Sequence, residues 1–321
     1  MLKNINVKMS WLCTMVGGFI VLALFYTTGL MTPVIETTLV MIGINIILAV
    51  GLNLVIGFSG QFSLGHAGFM AIGAYAMGIV TLRIPTFGGF LLGLVVGVLV
   101  SGLAALLVGI PTLRLSGDYL AIATLGVSEI IRVIIMNAEK ITNGPAGLFG
   151  IKPFVTWSMV YFAVCLTTLI VTNFIHSASG RATRSVRDNE IAAEAMGVNT
   201  TKYKVIAFVI GAMTAALAGG LYTSYFQTIM PQNFDFMKSI DILIIVVFGG
   251  VGSITGTFIA AVLLGFLNLF LQDAGALRMV VYALALIIIM IFKPSGLLGT
   301  KELSYKNLFK KGGRKDATSR S

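Results

Sequence analysis

The residues of this chain best suited to handling a polar molecule are Gly57, Ser59, Gly60, Gln61, Ser63, Gly65 and His66. They interrupt strongly apolar sequence running from Gly51 to Tyr75, GLNLVIGFSGQFSLGHAGFMAIGAY. Such a loop offers backbone amides and carbonyls, hydroxyls and one side-chain amide, groups that can solvate a charged or zwitterionic molecule without trapping it on a fixed charge. A second Gly/Ser break, GGVGSITG at 249–256, contributes Gly249, Gly250, Gly252 and Ser253. It lacks the Lys of a phosphate-binding loop. Glu129 and Arg132 lie three residues apart and can pair on one helix face. Covalent chemistry has no comparable support. His66 and His176 are the only histidines, no Ser/His/Asp or His/Glu cluster has workable spacing, and Cys13 and Cys165 form no CxxC pair. We therefore expect no catalytic residue, no metal and no cofactor in this chain.

These residues must be positioned by helices in lipid. The chain has 321 residues, 57% of them hydrophobic and 11% charged, with mean hydropathy +0.97. Soluble domains carry about 25% charged residues, so an ordinary soluble enzyme is excluded. The composition predicts an all-α, polytopic transmembrane bundle with broken helices. Spanning takes roughly 20 apolar residues, which places spans near 10–31, 34–56, 64–82, 88–110, 119–136, 157–176, 205–227, 239–250, 254–272 and 277–292. That is about ten crossings, the eighth a short one ending at the second Gly cluster; the alternative for 239–250 is a re-entrant half-helix. The first apolar run lacks a clear cleavage site and reads as an uncleaved helix. Residues 1–300 form one membrane domain, and 301–321 a basic tail expected to be disordered.

The formal net charge of +10 reflects topology. Basic residues gather at Lys3 and Lys8, between Arg181 and Lys204, and from Lys293 to Arg320. By the positive-inside bias, all three regions and both termini face the cytoplasm. Backbone interrupted at membrane depth survives only where protein or a water-filled cavity satisfies it, so both Gly/Ser breaks are candidate parts of a path. Gly89, Gly93, Gly97 and Ser101 recur every fourth residue, a stripe that lets helix backbones approach closely.

Between the spans, the one substantial polar stretch is 180–204, GRATRSVRDNEIAAEAMGVNTTKYK. Asp188 or Asn189 can cap a helix, Asp188, Glu190 and Glu194 sit where the helix dipole favours acids, and Gly197 falls at a helix C′ position. Ile191, Ala192, Ala195 and Met196 form a narrow apolar face. A helix of about two to three turns is not stable alone and must lie on something, a membrane surface or another protein.

EIAAEAMG at 190–197 resembles the EAA loop of ABC importer permeases. That resemblance implies a coupling helix seated on an ATP-binding subunit, with Ile191, Ala195 and Met196 as buried contacts and Arg187, Asp188 and Glu190 as polar ones. The blocks at 53–75, 117–132 (GDYLAIATLGVSEIIR), 142–151 (TNGPAGLFGI), 249–256 and 293–299 (KPSGLLG) look like the LivM-type permease of branched-chain amino acid ABC importers. The likeness implies alternating access, a second homologous permease, two ATP-binding subunits holding ATP and Mg, and an extracytoplasmic substrate-binding protein delivering to outer loops such as 137–156. Related permeases for urea, amides or other amino acids share much of the pattern. An ion-coupled carrier would need a mid-membrane relay, for which Glu129 is the candidate. His66 serves either to hydrogen-bond a neighbouring carbonyl or to relay protons; Glu129 and Arg132 serve either as a structural pair or in gating and subunit contact.

Overall fold

The computed structural model describes residues 31–115 and 117–271, with scattered positions at 17–28 and 280–299. The predicted spans 10–31 and 277–292 lie largely outside the described residues, and the tail 301–321 entirely so. Among the described residues the elements are α1 (Pro33–Asn53, continued by a π-helical turn Leu54–Phe58), α2 (His66–Arg83), α3 (Phe87–Thr112), α4 (Asp118–Asn137), the single turn α5 (Glu139–Thr142), α6 (Trp157–His176), α7 (Ala178–Asp188), α8 (Glu190–Ala195), α9 (Thr200–Phe226), α10 (Phe236–Gly249) and α11 (Ile254–Phe270). The described fold is helical, with one isolated bridge between Leu148 and Ile229.

Local chemistry sets the starts. Thr32 precedes Pro33 and accepts from Ile35 N, and Thr86, Ser177, Asn189, Asn199, Asp235 and Ser253 accept in the same way at the helices that follow them. Among the described residues, five helices are long and apolar enough to cross a membrane: 33–58, 87–112, 118–137, 157–176 and 200–226. α2 is outside these five because His66, Arg83 and its many small residues dilute its apolar content, yet most of it is buried. α10 and α11, of 14 and 17 residues, are shorter than the five.

Small residues decide the packing of α2, α3 and α9. Gly73 lies on the backbone of Ala216, Gly219 faces the Met70 carbonyl, and the Ser101 hydroxyl donates to the Ala212 carbonyl at 3.0 Å. The stripe on α3 is spent here: Gly93 meets Met77, Gly97 meets Gly73, and all four of its members are buried. The other face of α3 exposes Leu92, Val95, Leu99, Leu103 and Leu107, a purely apolar surface suited to lipid.

Two ends of the bundle can be told apart. At one, Leu148 pairs with Ile229, Ile151 N donates to Gln227 O at 3.2 Å, and Lys152 Nζ donates to Pro85 O at 3.3 Å. At the other, which holds α7 and α8, Phe58 lies under Arg184 and Leu297 N donates to Phe248 O at 2.9 Å. Residue 297 thus shares an end with the basic 180–204 loop. From Gln227 the chain passes through a 3-10 turn, Pro231–Phe234, before α10. α10 then begins partway down, where Lys238 Nζ reaches Asn45 Oδ1 at 3.4 Å and Ala67 N donates to Ser239 Oγ at 3.2 Å. α10 finishes at the α7 end. α11 runs back beside α1, with Gly265 against Ile42.

Candidate functional site

Both Gly/Ser breaks meet. α1 ends in a π-helical turn, a distortion that often marks functional positions, and the chain then turns through Ser59 and Gly60. The side chain that joins the breaks is Asn53. Its Oδ1 accepts from Gly252 N at 2.8 Å, and its Nδ2 donates to Ser253 O at 2.9 Å and to Thr257 Oγ1 at 2.7 Å. Gly57 lies against the Gly252 backbone so closely that a side chain at 57 would overlap it. Gly250 and Gly252 take φ of 117° and 87°, conformations that favour glycine. Gly249 crosses Gly256 backbone to backbone, which folds α10 and α11 into a tight hairpin. Gly296 and Gly299 of the 293–299 block pack on Gly250.

From 59 to 66 the chain turns back into the bundle. Ser59, Gln61, Ser63 and His66 are all buried, whereas Gly60 and Phe62 are exposed. Gln61 Nε2 donates to Ser59 Oγ at 2.8 Å, Leu64 N donates to Thr124 Oγ1 at 3.0 Å, and Gly65 lies on the Thr124 carbonyl. Gln61 Oε1, His66 Nε2 and the Tyr75 hydroxyl are buried without a hydrogen-bond partner among the described residues.

The predicted coupling helix starts after Asn189, one of the two expected caps, and a second helix, α7, precedes it in the same polar segment. Asn189 adopts extended backbone, φ −159° and ψ 106°, and caps α8 through a 3.0 Å bond from Ala192 N, so α7 stops at Asp188 and α8 has only six residues. That is shorter than the two to three turns expected, although the cap falls where the sequence places it. Met196 and Gly197 close α8, the latter at φ 82°. Ala193 is the buried member of α8, while Ile191 and Met196 are 82% and 85% exposed, with Ala192, Glu194 and Ala195 also on the surface. Glu190 pairs with Lys204 at 2.5 Å and Asp188 with Arg187 at 2.7 Å. The Arg187 side chain also turns inward, donating from NH1 to Gly57 O at 2.9 Å.

Glu129 and Arg132 do pair, at 2.6 Å, about midway along α4 and one turn beyond Thr124. They are 33% and 26% exposed, on the flank of a helix whose outer face carries Ile122, Ile130 and Val133. The structure keeps this pair apart from the two breaks. Two residues at the junction escape the sequence reading, Asn53 and Phe58. The signal for Asn53 was present: an amide side chain inside the otherwise apolar or small run 46–58 invites a long-range partner, though nothing local names which. Among the described residues no group of His, Cys, Asp and Glu could hold a metal ion.

An all-helical bundle with several membrane-length apolar helices, two joined breaks and a short exposed helix at one end defines a membrane permease. The family model for the permease component of branched-chain amino acid transport systems matches residues 34–291, and the chain belongs to that family. It is 34% identical over 290 residues to the high-affinity branched-chain amino acid permease LivM of Salmonella typhimurium, covering 79% of this chain and 68% of that protein. Against LivM of Escherichia coli it is 33% identical over 306 residues, 84% of this chain and 71% of that one. LivH of Escherichia coli matches at 30% over 151 residues, 46% of this chain and 48% of LivH. No solved structure matches the chain significantly.

Proposed function

We propose that this chain is a permease subunit of an ATP-driven importer that moves branched-chain amino acids across the bacterial cytoplasmic membrane. The likeness to the LivM permeases over some four-fifths of the chain carries this reading. The further likeness to LivH supports a second, homologous permease as partner. Two ATP-binding subunits and an extracytoplasmic binding protein complete the assembly; ATP and Mg reside on the former, and this chain performs no catalysis. Both termini face the cytoplasm.

The bare apolar side chains of Ile191 and Met196 support α8 as the helix that seats on an ATP-binding subunit. Glu194, Ala195 and Gly197 shape its remaining surface, and Asp188 and Glu190 supply charge beside it. The break at 57–66 is assigned to the translocation path or its gate, together with Gly249, Gly250, Gly252 and Ser253. Gln61 Oε1 and His66 Nε2, buried polar atoms without a partner among the described residues, support that assignment because buried polar atoms otherwise find partners. A substrate with an apolar side chain, an ammonium and a carboxylate suits neutral polar groups set in an apolar wall.

Radiolabelled leucine uptake by the complete assembly in proteoliposomes tests the reading. Uptake should require ATP, persist with ion gradients collapsed, and be competed by isoleucine and valine but not by urea. Gradient-driven uptake by this chain alone would overturn it. Gln61→Ala and Ser63→Ala should each slow uptake; wild-type rates in both remove the break from the path.

A further inference from the structure

We infer that Arg187 is the tie that passes movement of the coupling segment to both helix breaks at once, a positioning role that rests on the importer reading above.

An orphaned carbonyl anchors the tie. As α1 leaves its π-helical turn, Ser59 N bonds Leu54 O, Gln61 N bonds Val55 O and Gly60 N bonds Ile56 O, at 3.1, 3.1 and 3.2 Å. The chain then turns away, so the next carbonyl, that of Gly57, has no amide of its own helix to accept from, as at any helix end. Arg187 NH1 supplies the bond at 2.9 Å, from 130 residues along the chain. The same guanidinium donates from Nε and NH2 to Asp188 Oδ1 at 2.9 and 2.7 Å. A planar group with five donors can hold a carboxylate and a carbonyl together, which the point charge of a lysine cannot reproduce.

Placement makes this bond more than a cap. Arg187 occupies the last turn of α7, two residues before the extended Asn189 that separates α7 from α8. The stem of Arg187 passes directly over Gly60, where φ is 72° and a side chain would collide with the Arg187 Cγ. Gly57 in turn rests on the Gly252 backbone, and Asn53 binds Gly252 N and Ser253 O. One guanidinium therefore links the base of the coupling helix to break one directly and to break two through a single backbone contact. Asp188, 65% exposed, is the outward end of the linkage, and Arg187, 35% exposed, its inward rod. A partner that displaces α8 or draws on Asp188 moves Gly57, and the two breaks shift together because they are bonded to each other.

The test uses the full assembly with Arg187→Lys and Arg187→Gln. In the assemblies that copurify, substrate moved per ATP hydrolysed should fall about fivefold or more in both variants, the lower range of site-to-site coupling. In wild type, ATP should change hydrogen exchange in peptides covering 54–61 and 249–253; in the variants the change should stay within 178–199. Loss of copurification would make Arg187 a docking contact and overturn the tie. So would a lowered melting temperature with an unchanged uptake-to-ATP ratio, the mark of a purely structural cap. If Arg187→Gln does not fold, Asp188→Asn leaves the bond to Gly57 in place and should give a smaller loss in the same ratio; no loss there and in Arg187→Lys rejects the tie. Should the wild-type assembly move no amino acid, the substrate reading fails, and the exchange measurement still decides the tie.

Discussion

Asn53 and Ser253 stand 200 residues apart in sequence and are joined at 2.9 Å, the amide of one donating to the carbonyl of the other. Through this bond the interruption after α1 and the interruption between α10 and α11 become one junction. Polar backbone in an apolar bundle is expensive unless paired. Here each break satisfies part of the other, so neither forms fully without its counterpart.

Asn53→Leu should destabilise the chain by about 1–3 kcal/mol, since Gly252 N–H and Thr257 lose a buried partner that leucine cannot replace. Thermal unfolding in detergent, followed by size-exclusion fluorescence, measures this. Asn53→Asp keeps an acceptor for Gly252 N but presents an oxygen to the Ser253 carbonyl, so it should be no better tolerated. An unchanged melting temperature for the leucine variant would show that the junction does not depend on Asn53.

Gly73 touches the Ala216 backbone on α9 and Gly97 on α3. A methyl group there overlaps the Ala216 carbonyl and must separate three helices. Gly73→Ala should cost about 1–3 kcal/mol through overpacking, and Gly73→Val should abolish folded yield. Gly126, on the exposed face of α4 with open space where a side chain would extend, is the control: Gly126→Ala should retain full yield.

Ile191→Glu should leave the stability of this chain within about 0.5 kcal/mol of wild type, as for surface positions without special contacts. It should nevertheless abolish copurification of the ATP-binding subunits, because a charge replaces an apolar side chain that is 82% exposed and so contributes little to the fold. Retained copurification with Ile191→Glu and Met196→Glu together would remove α8 from the docking surface.

Glu129→Leu leaves Arg132 without its carboxylate midway along a membrane-length helix, and ionisable groups at that depth are costly when unpaired. Folded yield should fall, and Glu129→Leu with Arg132→Leu should recover it. Glu129→Gln should retain ATP-driven uptake. Loss of uptake in Glu129→Gln at normal yield would return Glu129 to candidacy as a proton relay.

The helices were legible because their signal is local. α6 spans Trp157–His176 as predicted, since apolar sequence there is bounded by residues that stop it on both sides. The stripe on α3 was legible as a packing face for the same reason: its period is visible without knowing the neighbour. The coupling helix was legible down to its cap, with Asn189 one of the two residues expected there, but the helix α7 before it was not, because its polar sequence carries no long apolar stripe. Arg187 was read as an outward contact for a partner; only the folded chain shows its guanidinium also turned back to Gly57.

By itself the sequence determined the class of molecule, a helical permease with two Gly/Ser interruptions and a short polar segment carrying an apolar face. Composition, hydropathy and spacing are properties of neighbouring residues, and they suffice for that. The tertiary structure alone decided that 57, 187 and 252 are one place. Hydrogen bonds from Asn53 and Arg187 form across 130 residues or more, and the choice among many equivalent carbonyls is made only when packing brings one of them within reach.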